Sequence, residues 1–187
     1  MNIGVLVSGG GTNLQALIDA GCNIVTVVSN NKGAYALERA KKVGVNVTVI
    51  EKSADFEEKI VEHMKKHDVG LIVLAGFMCI LNGAVLMEYR NRIINVHPSL
   101  IPSFCGDGFY GLKVHEAALS YGVKVTGATV HFVNEVVDGG KIIMQKAVDI
   151  LEGDTPETLQ KRVMEEAEWV ILPQAVKMLC GEKISDC

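Results

Sequence analysis

Short β-branched runs alternate with helical patterns through the first half of the chain. This order favours parallel strands, because a chain that returns through a helix re-enters the sheet in the same direction. It predicts a parallel sheet flanked by helices, with strand 2–7, helix 12–20, strand 24–29, helix 34–43, strand 46–50, helix 54–67, strand 71–75 and strand 92–96.

The second half of the chain has a different pattern. A helix over 112–121 precedes two strands, 124–133 and 141–149, whose connecting Gly-Gly turn indicates an antiparallel hairpin. A long helix then begins at Thr155-Pro156 and closes at Gly181. The predicted fold class is α/β: a Rossmann-like mixed sheet with a parallel N-terminal half flanked by helices and a C-terminal antiparallel hairpin plus a long helix.

Three residues predict local details of these helices. Gly44 follows the second helix at the position of a left-handed C-terminal cap. Ser53 precedes the third helix at the position of an N-cap hydroxyl. Pro173 predicts a bend in the last helix.

The chain has enough length and apolar content for one domain. Its 187 residues are 49% hydrophobic, and no linker, repeat or low-complexity tract divides them. We expect a single domain over 1–187, with a parallel half over 1–97 and a closing half over 98–187.

Charge and hydropathy exclude two classes of partner. A net charge of −4 leaves no basic surface of the size that duplex binding requires, so we expect no nucleic acid partner. The segment from Val69 to Met87 carries no charge and resembles a membrane span. Gly70, Gly76 and Gly83 interrupt it, however, and it fits a buried parallel strand followed by a loop.

The cysteines indicate a reduced protein. They are odd in number, widely separated and without a Cys-x-x-Cys pair, at Cys22, Cys79, Cys105, Cys180 and Cys187. Met1-Asn2 runs directly into an apolar strand, with no charged leader before it. We expect a cytoplasmic protein without a bound metal, and the sequence leaves open whether it is a monomer or a homodimer.

One polar segment stands at the end of a predicted strand. Asn95 and His97 lie two residues apart, so an extended backbone would point both side chains to one face, and Pro98 would stop the strand. Asp138 follows the strand 124–133 at a glycine-rich turn. Asn95, His97 and Asp138 therefore could meet at one site.

A glycine-rich loop, Ser8 to Leu14, connects the first strand to the first helix. Backbone N–H groups at a helix N-terminus attract anions, and loops at the carboxyl ends of parallel strands share one edge of the sheet. The spacing fits neither the Gly-x-Gly-x-x-Gly pattern nor a Walker loop, so a single phosphate fits better than a dinucleotide. A tight turn without a ligand is the alternative.

Several motifs occur together, in order, over nearly the whole chain: Ser8 to Asn13, Leu74 to Met78, Asn95 to Leu100, Thr129 to Val133, and Asp138 to Gly140. Together they resemble the phosphoribosylglycinamide formyltransferases, a family of folate-dependent enzymes. The Asn-x-His-Pro-Ser-Leu segment is shared by methionyl-tRNA formyltransferase and formyltetrahydrofolate deformylase. Each of these would need an additional domain, for which 187 residues leave no room.

The resemblance implies transfer of a formyl group from 10-formyltetrahydrofolate to the amine of 5'-phosphoribosylglycinamide in purine biosynthesis. Residues 1–97 would bind the nucleotide phosphate and residues 98–187 would bind folate and close the site. Asn95, His97 and Asp138 would be catalytic. The ribonucleotide would contact Gly10, Gly11, Thr12, Asn13 and Glu168. Folate would contact Met78, Cys79, Ile80, Leu81, Asn95, Asn134, Glu135, Val136, Val137 and Asp138.

The sequence departs from many relatives at three places, one of which is a missing arginine after Ser53. Cys79 stands where many relatives have Arg, which removes side-chain contacts to the folate tail but not contacts through the backbone. The segment 105–111 is longer than the compact loop of others and suggests a substrate lid.

These residues predict a mechanism without a metal or a covalent nucleophile. The Asn95 amide and a protonated His97 would donate to the oxyanion that forms when the amine attacks the formyl carbon. Asp138 would favour the charged imidazole and order a proton-carrying water. His131 is interpreted as structural. Hydrolysis of the folate by the same residues, and a phosphosugar-binding module without catalysis, remain alternatives.

Overall fold

The computed structural model describes residues 1–181. Seven strands form one mixed sheet in the order β3-β2-β1-β4-β5-β6-β7. The strands are β1 (Ile3–Val7), β2 (Ile24–Ser29), β3 (Asn46–Val49), β4 (Leu71–Leu74), β5 (Ile93–His97), β6 (Val125–Phe132) and β7 (Ile142–Asp149). This arrangement confirms the predicted fold class.

Seven α-helices and one π-helical segment accompany the strands in the described part of the chain. They are α1 (Thr12–Asp19), α2 (Tyr35–Lys42), α3 (Phe56–Lys66), α4 (Ala84–Glu88), α5 (Leu112–Tyr121), α6 (Pro156–Val163), the π-helix Met164–Glu168 and α7 (Trp169–Leu179). The chain groups into two compact units: unit 1 is Met1–Asn95 with Val133–Glu135, and unit 2 is Val96–Phe132 with the residues from Val136 onward.

Unit 1 contains the parallel part of the sheet. β1 pairs in parallel with β2 and with β4, β2 with β3, and β4 with β5. All five residues of β1 are buried, as expected for a strand that is covered on both faces. Leu6 of β1 packs in a hydrophobic core with Ile60, Met64, Ile72 and Ile93.

Unit 2 contains the antiparallel hairpin. β6 pairs with β7 from Val125↔Asp149 to His131↔Ile142, with an irregularity between Val130 and His131. α5 contacts α6, and α7 contacts both strands of the hairpin. Thr155 caps α6: its side chain accepts from the Thr158 N–H, as the Thr-Pro sequence predicted.

Three details of the helices were tested by the structure. Gly44 is left-handed, with a φ of 74°, which confirms its role after α2. The N-cap prediction for Ser53 is wrong: α3 begins at Phe56, and the Ser53 hydroxyl donates to Asp55 Oδ1 at 2.7 Å. The predicted long helix is interrupted by the π-helical turn, since i→i+5 bonding replaces the α pattern there.

The uncharged segment from Val69 to Met87 divides between β4 and α4. Among residues 1–181, no helix is both long and apolar enough to cross a membrane. The four cysteines in this range are thiols, and Cys187 lies outside the described residues.

Candidate active site

The glycine-rich loop of unit 1 turns directly into α1. Gly11 is the N-cap residue and has a φ of 72°, in the left-handed region. A Cβ added at Gly11 would lie 2.6 Å from the Cβ of Ala36, so α2 approaches the loop at a distance that only glycine permits. The Ala36 N–H donates to the Gly9 carbonyl at 3.1 Å, which fixes the loop against α2.

Positive charge lies beside this loop. Arg39 Nε donates to the Gly10 carbonyl at 2.8 Å, and its Nη1 donates to Gln15 Oε1 at 3.1 Å. The first turn of α1 contains no acidic residue, and Asn13 is nearly buried there. A helix N-terminus with a guanidinium beside it suits an anion. Sequence reasoning missed Arg39, because no motif linked it to the loop.

The Met78 to Leu81 segment of unit 1 alternates in exposure. Met78 and Ile80 are 59% and 66% exposed, whereas Leu81 is buried. The Cys79 side chain is half-buried and packs against the core of unit 1. Met78 and Ile80 therefore present apolar side chains to solvent. Such a surface suits a flat aromatic ligand.

His97, the last residue of β5, lies in unit 2 with a nearly buried side chain. Its Nε2 lies 2.8 Å from the Phe104 carbonyl oxygen, and its Nδ1 lies 3.4 Å from Asp138 Oδ2. Because a carbonyl only accepts, Nε2 carries the proton. The structure thus brings His97 and Asp138 together, as the sequence predicted.

A second imidazole contacts the same carboxylate. His131 Nε2 lies 3.6 Å from Asp138 Oδ1, and its Nδ1 donates to the Phe132 carbonyl at 2.8 Å. The Gly106 backbone N–H donates to Asp138 Oδ2 at 2.9 Å. The interpretation of His131 as structural did not include this contact. Its one sequence signal was an imidazole in a strand without any other titratable side chain.

The pKa values of this cluster move in one direction. Burial alone raises the pKa of Asp138, but the His131 and Gly106 hydrogen bonds and the charges of His97 and His131 outweigh it, so the pKa lies below its usual value. Burial lowers the pKa of His97, although Asp138 and the Phe104 carbonyl oppose the change. Asp138 thus favours the charged imidazole, as expected, but burial opposes it more strongly, and the protonated His97 stays a prediction.

Two imidazoles share one carboxylate in this cluster. Each ring presents one nitrogen to a backbone carbonyl and the other to Asp138. An imidazole that carries protons on both nitrogens can donate to the carbonyl and to the carboxylate at once. The arrangement therefore offers a proton several nitrogen and oxygen positions around Asp138.

The turn that carries Asp138 depends on two glycines. Asp138 itself is left-handed, with a φ of 54°. A Cβ at Gly139 would lie 2.6 Å from Val136 Cγ1, and one at Gly140 would collide with the Phe132 carbonyl oxygen. Glycine at both positions is what lets the chain place the Asp138 carboxylate against two imidazoles.

A third histidine of unit 2 is buried without a hydrogen-bond partner. Both ring nitrogens of His115, on α5, lack a partner, and the side chain has no exposed surface. Burial lowers the pKa of His115 to about 4, with a smaller contribution from His97. This ring is neutral at physiological pH.

The remaining predicted site residues lie in several elements. Asn95 lies on β5, half-buried, and Glu168 is buried at the end of the π-helix. Asn134, Glu135, Val136 and Val137 are exposed residues between β6 and β7. Their roles toward a ligand stay predictions. Residues 1–181 contain no group of three or more histidine, cysteine or acidic side chains that could hold a metal ion.

Comparison with known sequences identifies the family. The family model described as formyl transferase matches residues 1–176. The trifunctional purine biosynthetic protein adenosine-3 of Bos taurus is 42% identical over 190 residues, covering 96% of this chain and 18% of the relative. The chloroplastic phosphoribosylglycinamide formyltransferase of Arabidopsis thaliana is 36% identical and is covered to 66%. The chain thus spans only part of these relatives.

Solved structures give the same result. The phosphoribosylglycinamide formyltransferase of Anaplasma phagocytophilum has a TM-score of 0.90 at 40% identity, covering 100% of this chain and 90% of that one. Glycinamide ribonucleotide transformylase 1 of Symbiobacterium toebii has a TM-score of 0.89 at 41% identity, with coverage of 100% and 91%. These matches confirm the resemblance drawn from the sequence motifs. The chain belongs to the formyl transferase family.

Proposed function

We propose that this protein transfers the formyl group of 10-formyltetrahydrofolate to the amine of 5'-phosphoribosylglycinamide. The products are phosphoribosyl-N-formylglycinamide and tetrahydrofolate, in purine biosynthesis. The observation that carries this proposal is the Asp138 carboxylate between the imidazoles of His97 and His131. Such a cluster can hold and move a proton, which amine formylation requires.

The reaction begins when the free amine attacks the formyl carbon. A carbon–nitrogen bond forms, and the formyl oxygen becomes an oxyanion. Two donors are proposed for that oxygen, the Asn95 amide and the Nε2–H of His97. Asn95 and His97 are two residues apart on β5, and alternate residues of a strand point the same way. Such donors contribute about 10²–10³ each to the rate.

The Phe104 carbonyl marks where the oxyanion would be received. It accepts the Nε2–H of His97 at 2.8 Å, and Phe104 is left-handed with a φ of 47°. An oxyanion accepts a hydrogen bond more strongly than a neutral carbonyl. We infer that the developing charge displaces the Phe104 carbonyl from His97 and relieves the local backbone strain of about 1–3 kcal/mol.

Asp138 is assigned the proton transfer. The attacking nitrogen becomes positive and must lose a proton, while the folate nitrogen must gain one before it leaves. The pKa of Asp138 lies below its usual value, so the carboxylate is ionised and can accept through an ordered water. The nitrogens that His97 and His131 turn toward it provide two further positions for a proton. The charge at the oxyanion would also favour the protonated His97.

The binding residues are proposed from the family resemblance. The phosphate would lie at Gly10, Gly11, Thr12 and Asn13, and Glu168 would contact the glycinamide or ribose end. Folate would contact the exposed Met78 and Ile80 with Cys79 and Leu81, and on its other side Asn95, Asn134, Glu135, Val136, Val137 and Asp138.

The cellular setting follows from the same proposal. The partners would be these two small molecules, with neither nucleic acid nor a membrane, in a monomer or homodimer of the cytoplasm. One curated relative is chloroplastic, so localisation of the natural protein is a separate test.

A two-cuvette assay tests the proposal. Purified protein is mixed with 10-formyl-5,8-dideazafolate, with or without phosphoribosylglycinamide, and the deformylated folate is followed by absorbance. Release only in the complete mixture is expected. Release in both cuvettes would indicate a hydrolase that uses water in place of the amine, and release in neither would indicate a binding module or another formyl acceptor.

A further inference from the structure

Three strands of unit 1 end in side chains that form one continuous hydrogen-bonded chain. The Ser8 hydroxyl, after β1, donates to Asn30 Oδ1 at 2.6 Å. The Asn30 amide, after β2, donates from Nδ2 to Cys79 Sγ at 3.2 Å, beyond β4. The Met78 backbone N–H donates to Ser8 Oγ at 2.8 Å. Because Met78 is next to Cys79, the hydrogen bonds form a closed network.

Both ends of the Asn30 amide are used in this chain. The oxygen accepts and the nitrogen donates, so the side chain has one orientation that satisfies both neighbours. The Ser8 hydroxyl likewise donates once and accepts once. Its backbone is held too, because the Ser8 N–H donates to the Gly76 carbonyl at 3.1 Å and its carbonyl accepts from Asn31 Nδ2 at 3.3 Å. The network is neutral and matched.

The network joins the two segments to which binding was assigned. Ser8 is the first residue of the glycine-rich loop, and Cys79 lies in the Met78 to Leu81 segment. The bond from Asn30 holds the Cys79 thiol toward the core, which leaves Met78 and Ile80 exposed. The Asn30 amide therefore holds the Ser8 side chain at the start of the glycine-rich loop. It also fixes the direction of the side chains in the Met78 to Leu81 segment.

We propose that Asn30 is a positioning residue that holds the glycine-rich loop and the Met78 to Leu81 segment in register for their two substrates. This role rests on the proposed function, which assigns the ribonucleotide phosphate to the first segment and folate to the second. Asn30 touches neither reacting atom. Its loss would loosen both segments together and leave the chemistry at Asp138 unchanged.

Asn30→Leu removes both hydrogen bonds at nearly constant volume. We expect the KM values for the ribonucleotide and for folate each to rise about five- to tenfold, as loss of one net hydrogen bond per segment predicts. The kcat at saturation should stay near the wild-type value, since positioning acts on binding. A rise in one KM alone, or a fall in kcat without a change in either KM, would overturn the proposal.

The thiol end of the network has a conservative rescue. Cys79→Ser keeps an acceptor for Asn30 Nδ2, and we expect its folate KM to rise clearly less than that of Cys79→Val. Cys79→Val removes the acceptor and should raise the folate KM about fivefold. Equal folate KM values for the two variants would contradict the assigned hydrogen bond.

Asn23→Ala is the matched control. Asn23 is the same residue type at the opposite end of β2, exposed, and its Nδ2 donates to Asn2 Oδ1 at 3.0 Å. It belongs to neither binding segment, so both KM values should be unchanged.

Hydrogen exchange of the Met78 amide separates this proposal from the proposed function. Its N–H is held by Ser8 Oγ on an otherwise exposed residue. Exchange of this amide should accelerate about fivefold or more in Ser8→Ala and Asn30→Leu, and not in Asn23→Ala. If wild type does not turn over phosphoribosylglycinamide, the proposed function fails while this readout still decides whether the network holds the segment. Unchanged exchange in Asn30→Leu would overturn the network itself.

Discussion

The Asn30 network of unit 1 and the Asp138 cluster of unit 2 are built on opposite principles. Ser8, Asn30 and Cys79 are neutral groups whose donors and acceptors match. Around Asp138, one carboxylate lies between two imidazoles, so that a proton has several nitrogen and oxygen positions available. A matched network fixes a geometry, and an unmatched cluster leaves a proton with more than one place to reside. Binding requires the former and acid–base chemistry the latter.

The largest effect should come from changing the unmatched cluster. Asp138→Asn replaces an acceptor-only group by an amide and abolishes the proton acceptor. We expect kcat to fall by about 10²–10⁴ with little change in the ribonucleotide KM, in a steady-state assay. Asp107→Asn, at an exposed aspartate of the adjacent loop, is the control. Normal turnover by Asp138→Asn would remove the carboxylate from the mechanism.

The proposed oxyanion donor on β5 should have the next largest effect. Asn95→Ala removes one donor, and we expect kcat to fall by about 10²–10³ with the ribonucleotide KM nearly unchanged. Asn46→Ala, exposed on β3, is a control of the same residue type. An Asn95→Ala variant that loses less than about tenfold in kcat would show that the amide does not meet the developing charge.

His115 tests the cost of burying an unmatched imidazole beside the cluster. Its folded-state pKa of about 4 is below the usual 6.5, so only the unfolded chain binds this proton between those values. The stabilisation is complete above about pH 6.5 and is lost as the pH falls toward 4. As the pH falls through that range, the free energy of unfolding of wild type should drop by about 1–3 kcal/mol more than that of His115→Leu. Urea titrations at both ends measure this, and parallel profiles would contradict it.

The smallest effect concerns binding alone. Asn13→Ala should raise the ribonucleotide KM about tenfold through lost polar contacts and leave the folate KM intact. An unchanged ribonucleotide KM would argue against a phosphate at the glycine-rich loop. A rise in both KM values would indicate instead that Asn13 is coupled to the Asn30 network.

Local signals predicted most of the fold. Strand alternation, the left-handed Gly44 and the Thr155 cap depend on neighbours within a few residues, and the structure has them where expected. α4 was missed, because its five residues follow a Gly- and Asn-containing stretch without helical periodicity. The π-helical turn ending at Glu168 has no sequence signature.

The sequence predicted only part of the site, because local patterns record only part of what forms it. Motif order named His97 and Asp138, which the structure brings to 3.4 Å. The contacts of His131, the Phe104 carbonyl and Asn30 depend on tertiary register and loop conformation, which no local pattern records. The opposition between burial and the carboxylate at His97 could not be predicted, because burial cannot be read from residue type.

In the proposed reaction, the formyl group passes to an amine and not to water. A decisive measurement uses 10-formyltetrahydrofolate labelled with carbon-13 in the formyl group, together with phosphoribosylglycinamide, and follows the label by NMR. We expect the label to appear as an N-formyl amide on the ribonucleotide, and we expect Asp138→Asn to slow its appearance. Label recovered as formate at the same rate with or without the ribonucleotide would contradict the proposed reaction.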